Sequence, residues 1–408
     1  MRPYAITGVG MVSPIGVGYA SFREALSTGA PSSDVFVEAP TPLSTDKLPG
    51  AVAAEVAGFD AADHVGKKGL RTLDRLTRML IVAAKYSLEA AGLRGAGDPA
   101  GEDAGEAPPP PPPIDAQRLG VCSATAYGSL DVISEMAQVA ELEDPRFLNP
   151  SRFPNTVINS SAGYVSIWHD LRAPNVTVVD GNCGSLDAFL TGDMHISNGR
   201  ADAFLVGGGE VLSDSLYMAF RKLEVLADPV SDCAPGLAES KGMRIGEGAA
   251  YVCMERAQAA RDRGARVLAE VIGYGTAFEP PDSEAAIVHA SQLAVERALK
   301  QALDDAGISP ADVDLVVSSV SGIPRFDAAE LVGIETCLAA VPVVAPKTWY
   351  GESFGAGGAL ALCATLCFFD GVTPAPMVRG EAPADASTAV ILSVGYYGNV
   401  SALVLRRP

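Results

Sequence analysis

The sequence predicts an α/β fold made of two related halves, each with a buried helix at its centre, and three observations carry that prediction. Val176-Thr-Val-Val-Asp-Gly-Asn-Cys183-Gly-Ser-Leu-Asp-Ala-Phe-Leu reads as a β-branched strand, a tight turn and an apolar helix. Val341-Pro-Val-Val-Ala-Pro-Lys347-Thr-Trp-Tyr-Gly-Glu352-Ser-Phe-Gly-Ala-Gly-Gly-Ala-Leu-Ala-Leu repeats the plan. The chain's 408 residues also exceed what one hydrophobic core usually organises. A helix apolar on all sides has no face to give to water, so both helices belong in a middle layer. The expected halves are residues 1–255 and 256–408.

The other elements follow in chain order. Tyr4-Ala-Ile-Thr-Gly-Val-Gly-Met-Val-Ser-Pro reads as a strand entering a glycine-rich turn, with a helix over Tyr19–Leu26. Gly8-Val-Gly10 lacks the third glycine of a dinucleotide loop, and no acidic residue closes a second strand about 20 residues on. Residues 73–91 carry apolar side chains at helical spacing and stop at Gly92. Residues 95–116 shift to Gly, Ala, acidic residues and a run of prolines, the composition of an extended surface insertion. Ala203–Glu210 and residues 246–255 and 313–319 read as further strands, the first two with close glycine packing.

Composition excludes several functions. Thirty basic against 49 acidic residues leave a net charge of −19, which repels nucleic acid and anionic membrane surfaces. The basic stretch Lys67-Lys68 and Arg71 to Arg78 is a solvated helix face or a local docking patch. The longest nearly apolar run, residues 359–369, ends at Asp370, far short of the roughly 20 residues a membrane helix needs. The N-terminus reaches Gly8 too early for the apolar segment of a secretory signal, so a cytoplasmic location is expected. Seven scattered cysteines then stay reduced. Cys363 and Cys367 have no histidine nearby and read as core, so neither a metal nor a cofactor is expected.

Among candidate chemical groups Cys183 stands first. At a strand-to-helix junction, the free N–H groups and dipole of the helix would favour a thiolate that can be acylated; the alternative is an inert buried thiol. Gly351-Glu-Ser353-Phe-Gly355 matches a hydrolase nucleophile elbow. That mechanism needs a histidine after the serine, and His64, His169, His195 and His289 all precede it. They read as surface or satisfied core residues, His195 and His289 in helix-like stretches.

These residues resemble the elongating β-ketoacyl synthases of fatty-acid and type II polyketide systems along nearly the whole chain. Ile6-Thr-Gly-Val-Gly-Met-Val-Ser-Pro-Ile-Gly is similar to that family's first strand and turn, and the run after Lys67 to its basic stretch and Asp-Arg helix. Asn155-Thr-Val-Ile-Asn-Ser-Ser-Ala-Gly, Leu171-Arg-Ala-Pro-Asn, Gly199-Arg-Ala-Asp-Ala-Phe-Leu-Val-Gly-Gly and Gly246-Glu-Gly-Ala are similar to further family segments. The resemblance implies a thiolase-like fold of five layers, αβαβα. It implies that Cys183 takes an acyl chain from an acyl carrier protein, that Lys347 supports a histidine and that Glu330 organises the neighbourhood. An acidic carrier would need the basic patch to dock.

Both family histidines are missing. Ser321-Gly-Ile-Pro-Arg-Phe-Asp327-Ala-Ala-Glu330 puts Ser321 at the first position, in a segment about two residues shorter than the family's. Lys347-Thr-Trp-Tyr-Gly-Glu352 puts Glu352 at the second. A carboxylate facing a developing enolate reverses the electrostatics, and losing one oxyanion donor alone costs about 10²–10³ in rate. Glu352 either pairs with Lys347 or serves as an acid or base in altered chemistry. Ser393-Val-Gly395-Tyr396-Tyr397-Gly398 replaces the family's gating loop and would reshape access to the acyl pocket, with Tyr396 where the gate phenylalanine stands. Two readings follow: a chain-length-factor-like partner of an active ketosynthase, or a divergent acyltransferase or condensing enzyme using Cys183. Residues 155–180 are the expected interface of either a homodimer or a heterodimer.

Overall fold

The computed structural model describes residues 3–31, 33–93, 113–227, 233–283 and 288–408. Most of the proline-rich insertion lies outside them; the chain re-enters the core at Ile114, which is buried.

The strands are β1 (Tyr4–Ser13), β2 (Gly16–Val17), β3 (Phe36–Glu38), β4 (Val52–Ala54), β5 (Leu119–Ala124), β6 (Asn175–Val178), β7 (Ala203–Glu210), β8 (Gly248–Arg256), β9 (Ala269–Phe278), β10 (Leu315–Val317), β11 (Val343–Val344), β12 (Met377–Arg379), β13 (Thr388–Val394) and β14 (Asn399–Arg406). All but β3 and β4 form one sheet in the order β12-β11-β10-β13-β14-β9-β1-β8-β7-β5-β6, with β2 beside β1. The same ladder occurs twice. From β6 to β1 the pairings run parallel, parallel, antiparallel, antiparallel; from β11 to β9 they run identically. Tyr4 to Ile6 pair with Val271 to Ala269 and join the two ladders.

Helix packing repeats as well. A Cβ on Gly8 or Gly10 of β1 would lie 2.0 and 2.2 Å from carbonyl oxygens of Ser87 and Ala83 in the helix Arg75–Ala90. A Cβ on Gly273 or Gly275 of β9 would lie 2.3 and 2.1 Å from those of Ala302 and Ala298 in the helix Gln292–Ala306. In each half the helix backbone rests directly on the strand, and only glycine leaves the room. The helix Arg75–Ala90 starts two residues later than expected because Asp74 caps it, accepting from Thr77 N at 2.7 Å.

Strand alternation then sets the layers. Ala249, Tyr251 and Cys253 of β8 pack with Arg75–Ala90, while Ala250, Val252 and Met254 face the interior. On β14, Val400, Ala402 and Val404 pack with Gln292–Ala306, and Leu403 and Leu405 turn inward. The central layer holds the two expected helices, Gly184–Ser197 and Gly357–Phe369, in mutual contact. The second is buried at every residue. The first keeps one flank at the surface, with Leu190 and Met194 about half exposed. This is the five-layered thiolase-like arrangement of the expectation, with a correction for the first helix: its Asp187, Thr191 and Asp193 make it less uniformly apolar than its strand-proximal turn suggests. That flank adjoins β6, which ends the sheet with an unpaired edge among the described residues. Val157, Ile158, Ile167 and Val179 are exposed on the neighbouring segments. No helix among the described residues is long and apolar enough to cross a membrane.

Candidate active site

Cys183 caps the helix Gly184–Ser197 and is fully buried. Its thiol donates to Ser393 O at 3.2 Å and lies 3.5 Å from Asn399 O, carbonyls at the end of β13 and the start of β14. Burial pushes the thiol well above its ordinary pKa, and Asp187 and Asp180 push it further. Burial and the two acidic neighbours therefore oppose the thiolate that the helix end favours. The Cys183 N–H donates to Asp180 O at 3.1 Å and is not free to hold an oxyanion. Asp187, one turn on, is half-buried beside Asp180, accepts from Tyr274 OH at 2.6 Å and from Ser401, and is raised to about 7, chiefly by desolvation.

Asn182 links this thiol to the second cluster. Its Nδ2 donates to Glu352 Oε2 at 3.3 Å. Glu352 Oε2 also accepts from Lys347 Nζ at 2.6 Å and from Tyr396 OH at 3.3 Å, and Oε1 accepts from Phe354 N at 2.9 Å. Phe354 holds a left-handed φ of 43°, which turns its N–H onto the carboxylate. Lys347 and Glu352 are both almost wholly buried, so the pair is a closed ion pair with each charge met by several partners.

Lys347 Nζ donates also to Ser319 Oγ at 2.9 Å, and Ser319 N donates to Glu330 Oε1 at 2.6 Å. Glu330 is buried, its Oε2 without a partner, and burial raises it to about 8, so it is protonated at neutral pH. Asp327 gathers Ser321 N at 2.9 Å, Gly322 N at 2.8 Å and Gly236 N at 2.8 Å, which holds the shortened segment in place. Ser321 Oγ is buried without a partner.

Tyr396 lies in an aromatic cluster with Phe220, Phe326 and Phe354, at centroid distances of 5.6, 5.1 and 6.3 Å. Tyr397 points outward and is mostly exposed. Gly395 N donates to Asn399 O at 2.8 Å and closes the turn. The structure thus brings Lys347, Glu352 and Tyr396 into contact, joins Glu330 through Ser319 and Cys183 through Asn182, and leaves Tyr397 outside. Asn182, Ser319 and Asp187 escaped the sequence reading because small polar residues beside a motif carry no pattern of their own.

Elsewhere, Ser353 Oγ reaches only Gly351 O, at 3.5 Å, so the apparent elbow has no base. His64 meets Tyr86 OH, His169 meets Ile81 O, and His195 stacks on Phe204. His289 sits in an isolated bridge with Tyr397 and not in a helix. In the basic stretch Lys67, Lys68 and Arg71 are exposed, whereas Arg75 is committed to the buried Glu247 at 2.5 and 3.0 Å.

A 3-oxoacyl-(acyl-carrier-protein) synthase 2 from Coxiella burnetii is 28% identical over 100% of this chain and 99% of its own. The tetracenomycin polyketide synthase ketoacyl synthase beta subunit of Streptomyces glaucescens is 29% identical over 99% of this chain and 98% of its own. The solved structure of the ishigamide ketosynthase/chain length factor superposes with a TM-score of 0.85 at 24% identity, covering 100% of this chain and 99% of that one. Residues 1–260 match the model of the beta-ketoacyl synthase N-terminal domain and residues 268–379 that of its C-terminal domain, so the chain belongs to the beta-ketoacyl synthase family.

Proposed function

We propose that this chain is a non-condensing subunit of fatty-acid or type II polyketide biosynthesis, a chain-length-factor-like partner of an active β-ketoacyl synthase that acts on chains held by an acyl carrier protein. The observation that carries this reading is the closed Lys347–Glu352 pair. Where the family resemblance puts an imidazole donor, a carboxylate stands with its oxygens already occupied by Lys347, Asn182, Tyr396 and Phe354 N. Enolate stabilisation needs a donor aimed at developing negative charge, and this arrangement offers the opposite sign. The open edge of β6 and the apolar flank of Leu190, Met194, Val179 and Ile167 support association with a second ketosynthase fold through the sheet edge. Names among the relatives, a beta subunit and a ketosynthase/chain length factor, accord with such a pair. A cytoplasmic location belongs to the same reading.

The test is co-expression with a ketosynthase and carrier protein, followed by size exclusion and product analysis for wild type and Cys183→Ala. A stable complex whose product survives Cys183→Ala is expected. Rapid malonyl decarboxylation by this chain alone would overturn the reading.

A second reading, acyl transfer by Cys183, is favoured by the thiol's place at the end of a central helix. Intact-mass measurement after incubation with an acyl-carrier thioester separates the two: an adduct on Cys183 supports transfer, and its absence leaves the partner reading standing.

A further inference from the structure

A cavity of about 30 Å³ lies beside the closed pair, lined by Phe36, Cys233, Arg244, Ser321, Lys347 and Thr348 among others. Phe36, Cys233 and Thr348 are half-buried and form its mouth. Three polar atoms from three separate segments meet there without hydrogen-bond partners: Arg244 Nε, Ser321 Oγ and Thr348 Oγ1. Arg244 is only 8% exposed and Ser321 only 3%. The Arg244 guanidinium lies over the Phe36 ring, 4.6 Å from its centroid, and touches Cys233. Among the described residues no carboxylate pairs with it. Lys347 is neutralised by Glu352, and Asp327 is turned onto the amides of Ser321, Gly322 and Gly236. Among the described residues, the cavity therefore holds one arginine with no carboxylate partner and two hydroxyls with no hydrogen-bond partner.

A buried arginine that no described carboxylate meets, next to orphaned hydroxyls, is costly in a folded chain unless a ligand completes the site. Arginine is always charged and presents its donors in a fixed plane, a geometry that suits a carboxylate. The size agrees: about 30 Å³ accommodates roughly two water-sized atoms, the two oxygens of a carboxylate and not the four of a phosphate.

We propose that Arg244, with Ser321 and Thr348, forms a binding site for a small carboxylate, free or at the end of a thioester-linked acyl chain. Arg244 supplies the charge and the two hydroxyls fix the oxygens. On the non-condensing reading, on which only the identity of the natural ligand rests, the position of the lost first histidine has become a place that holds an acyl carboxylate without removing it.

The test uses the purified full-length chain alone. Calorimetric titration with malonate is expected to give saturable binding, which malonamide, the neutral counterpart, and inorganic phosphate do not reproduce. Arg244→Met is expected to abolish it, and Ser321→Ala to weaken it at least about tenfold, the loss of one hydrogen bond to a charged group. Malonyl-pantetheine compared with acetyl-pantetheine separates the sources: tighter binding of the malonyl thioester than of malonate indicates an acyl-chain carboxylate, and the reverse a free acid. Equal binding of malonate and malonamide, or full binding by Arg244→Met, would overturn the site. If Arg244→Met does not fold, a Ser321→Ala/Thr348→Val chain that binds malonate as wild type does would overturn it instead. Failure of the partner reading shows up differently, as loss of complex formation with a ketosynthase, and leaves these titrations unchanged.

Discussion

Charge inside the core decides what individual residues can do here. Lys347 and Glu352 have replaced the solvent shells they lost with each other and with hydrogen bonds from Ser319, Asn182, Tyr396 and Phe354. Removing one partner strands the other charge. Lys347→Met is expected to cost about 3–5 kcal/mol, and the double change Lys347→Met/Glu352→Leu to recover most of it; urea unfolding of the three variants and wild type checks this. Glu330 makes a second prediction. Burial raises it from 4.5 to about 8, so the folded chain binds more protons than the unfolded one between those values. Its contribution is therefore complete below about pH 4.5 and is lost as pH rises through 8, at up to about 1.4 kcal/mol per pH unit. Asp187 and Glu210, both raised to about 7 by burial, act in the same direction. Glu330→Gln keeps the shape without the charge, and unfolding at pH 5, 6.5 and 8 is expected to show a shallower decline than wild type. Part of this was open to sequence reading: pairing of Glu352 with Lys347 was one of the two roles the sequence left to Glu352, whereas nothing in the string placed Asn182 or Ser319 against them.

At the scale of elements, the controlling contact is helix backbone on strand backbone. Gly10→Ala and Gly275→Ala each put a methyl about 2 Å from a helix carbonyl, and overpacking of that kind costs about 1–3 kcal/mol. Gly163, inside the helix Ser160–Trp168, has nothing within 4 Å of its would-be Cβ, so Gly163→Ala is expected to be neutral or slightly stabilising. Thermal unfolding of the three variants distinguishes close approach from a general glycine effect. The sequence suggested close glycine packing for the strands around residues 207 and 246, yet the repeated pairs on β1 and β9 were not legible as a repeat. Their partners lie some 75 and 25 residues further along the chain, and only pairing in space aligns them.

The whole molecule carries 49 acidic against 30 basic residues, yet Ile167, Val179, Leu190 and Met194, on β6's flanking segments and the helix Gly184–Ser197, are exposed. Leu190→Asp is expected to weaken association with a ketosynthase partner while leaving the chain folded, since Leu190 is 46% exposed and stands on a helix flank. Size exclusion with the partner and circular dichroism of the variant alone test both halves of the statement.

The sequence by itself determined the α/β class, the two strand-to-helix units around Cys183 and Lys347, and the absence of the two histidines. Each is written in local pattern or in the identity of single residues, and so needs no knowledge of distant neighbours. Only the tertiary structure shows that Cys183 is buried beside two acidic groups, that Glu352 is fully partnered, and that Arg244, Ser321 and Thr348 line one cavity. Those outcomes depend on solvent exclusion and on which charges meet, quantities set by residues as far apart as Cys183 and Asn399, 216 positions along the chain, and visible only once the chain has folded.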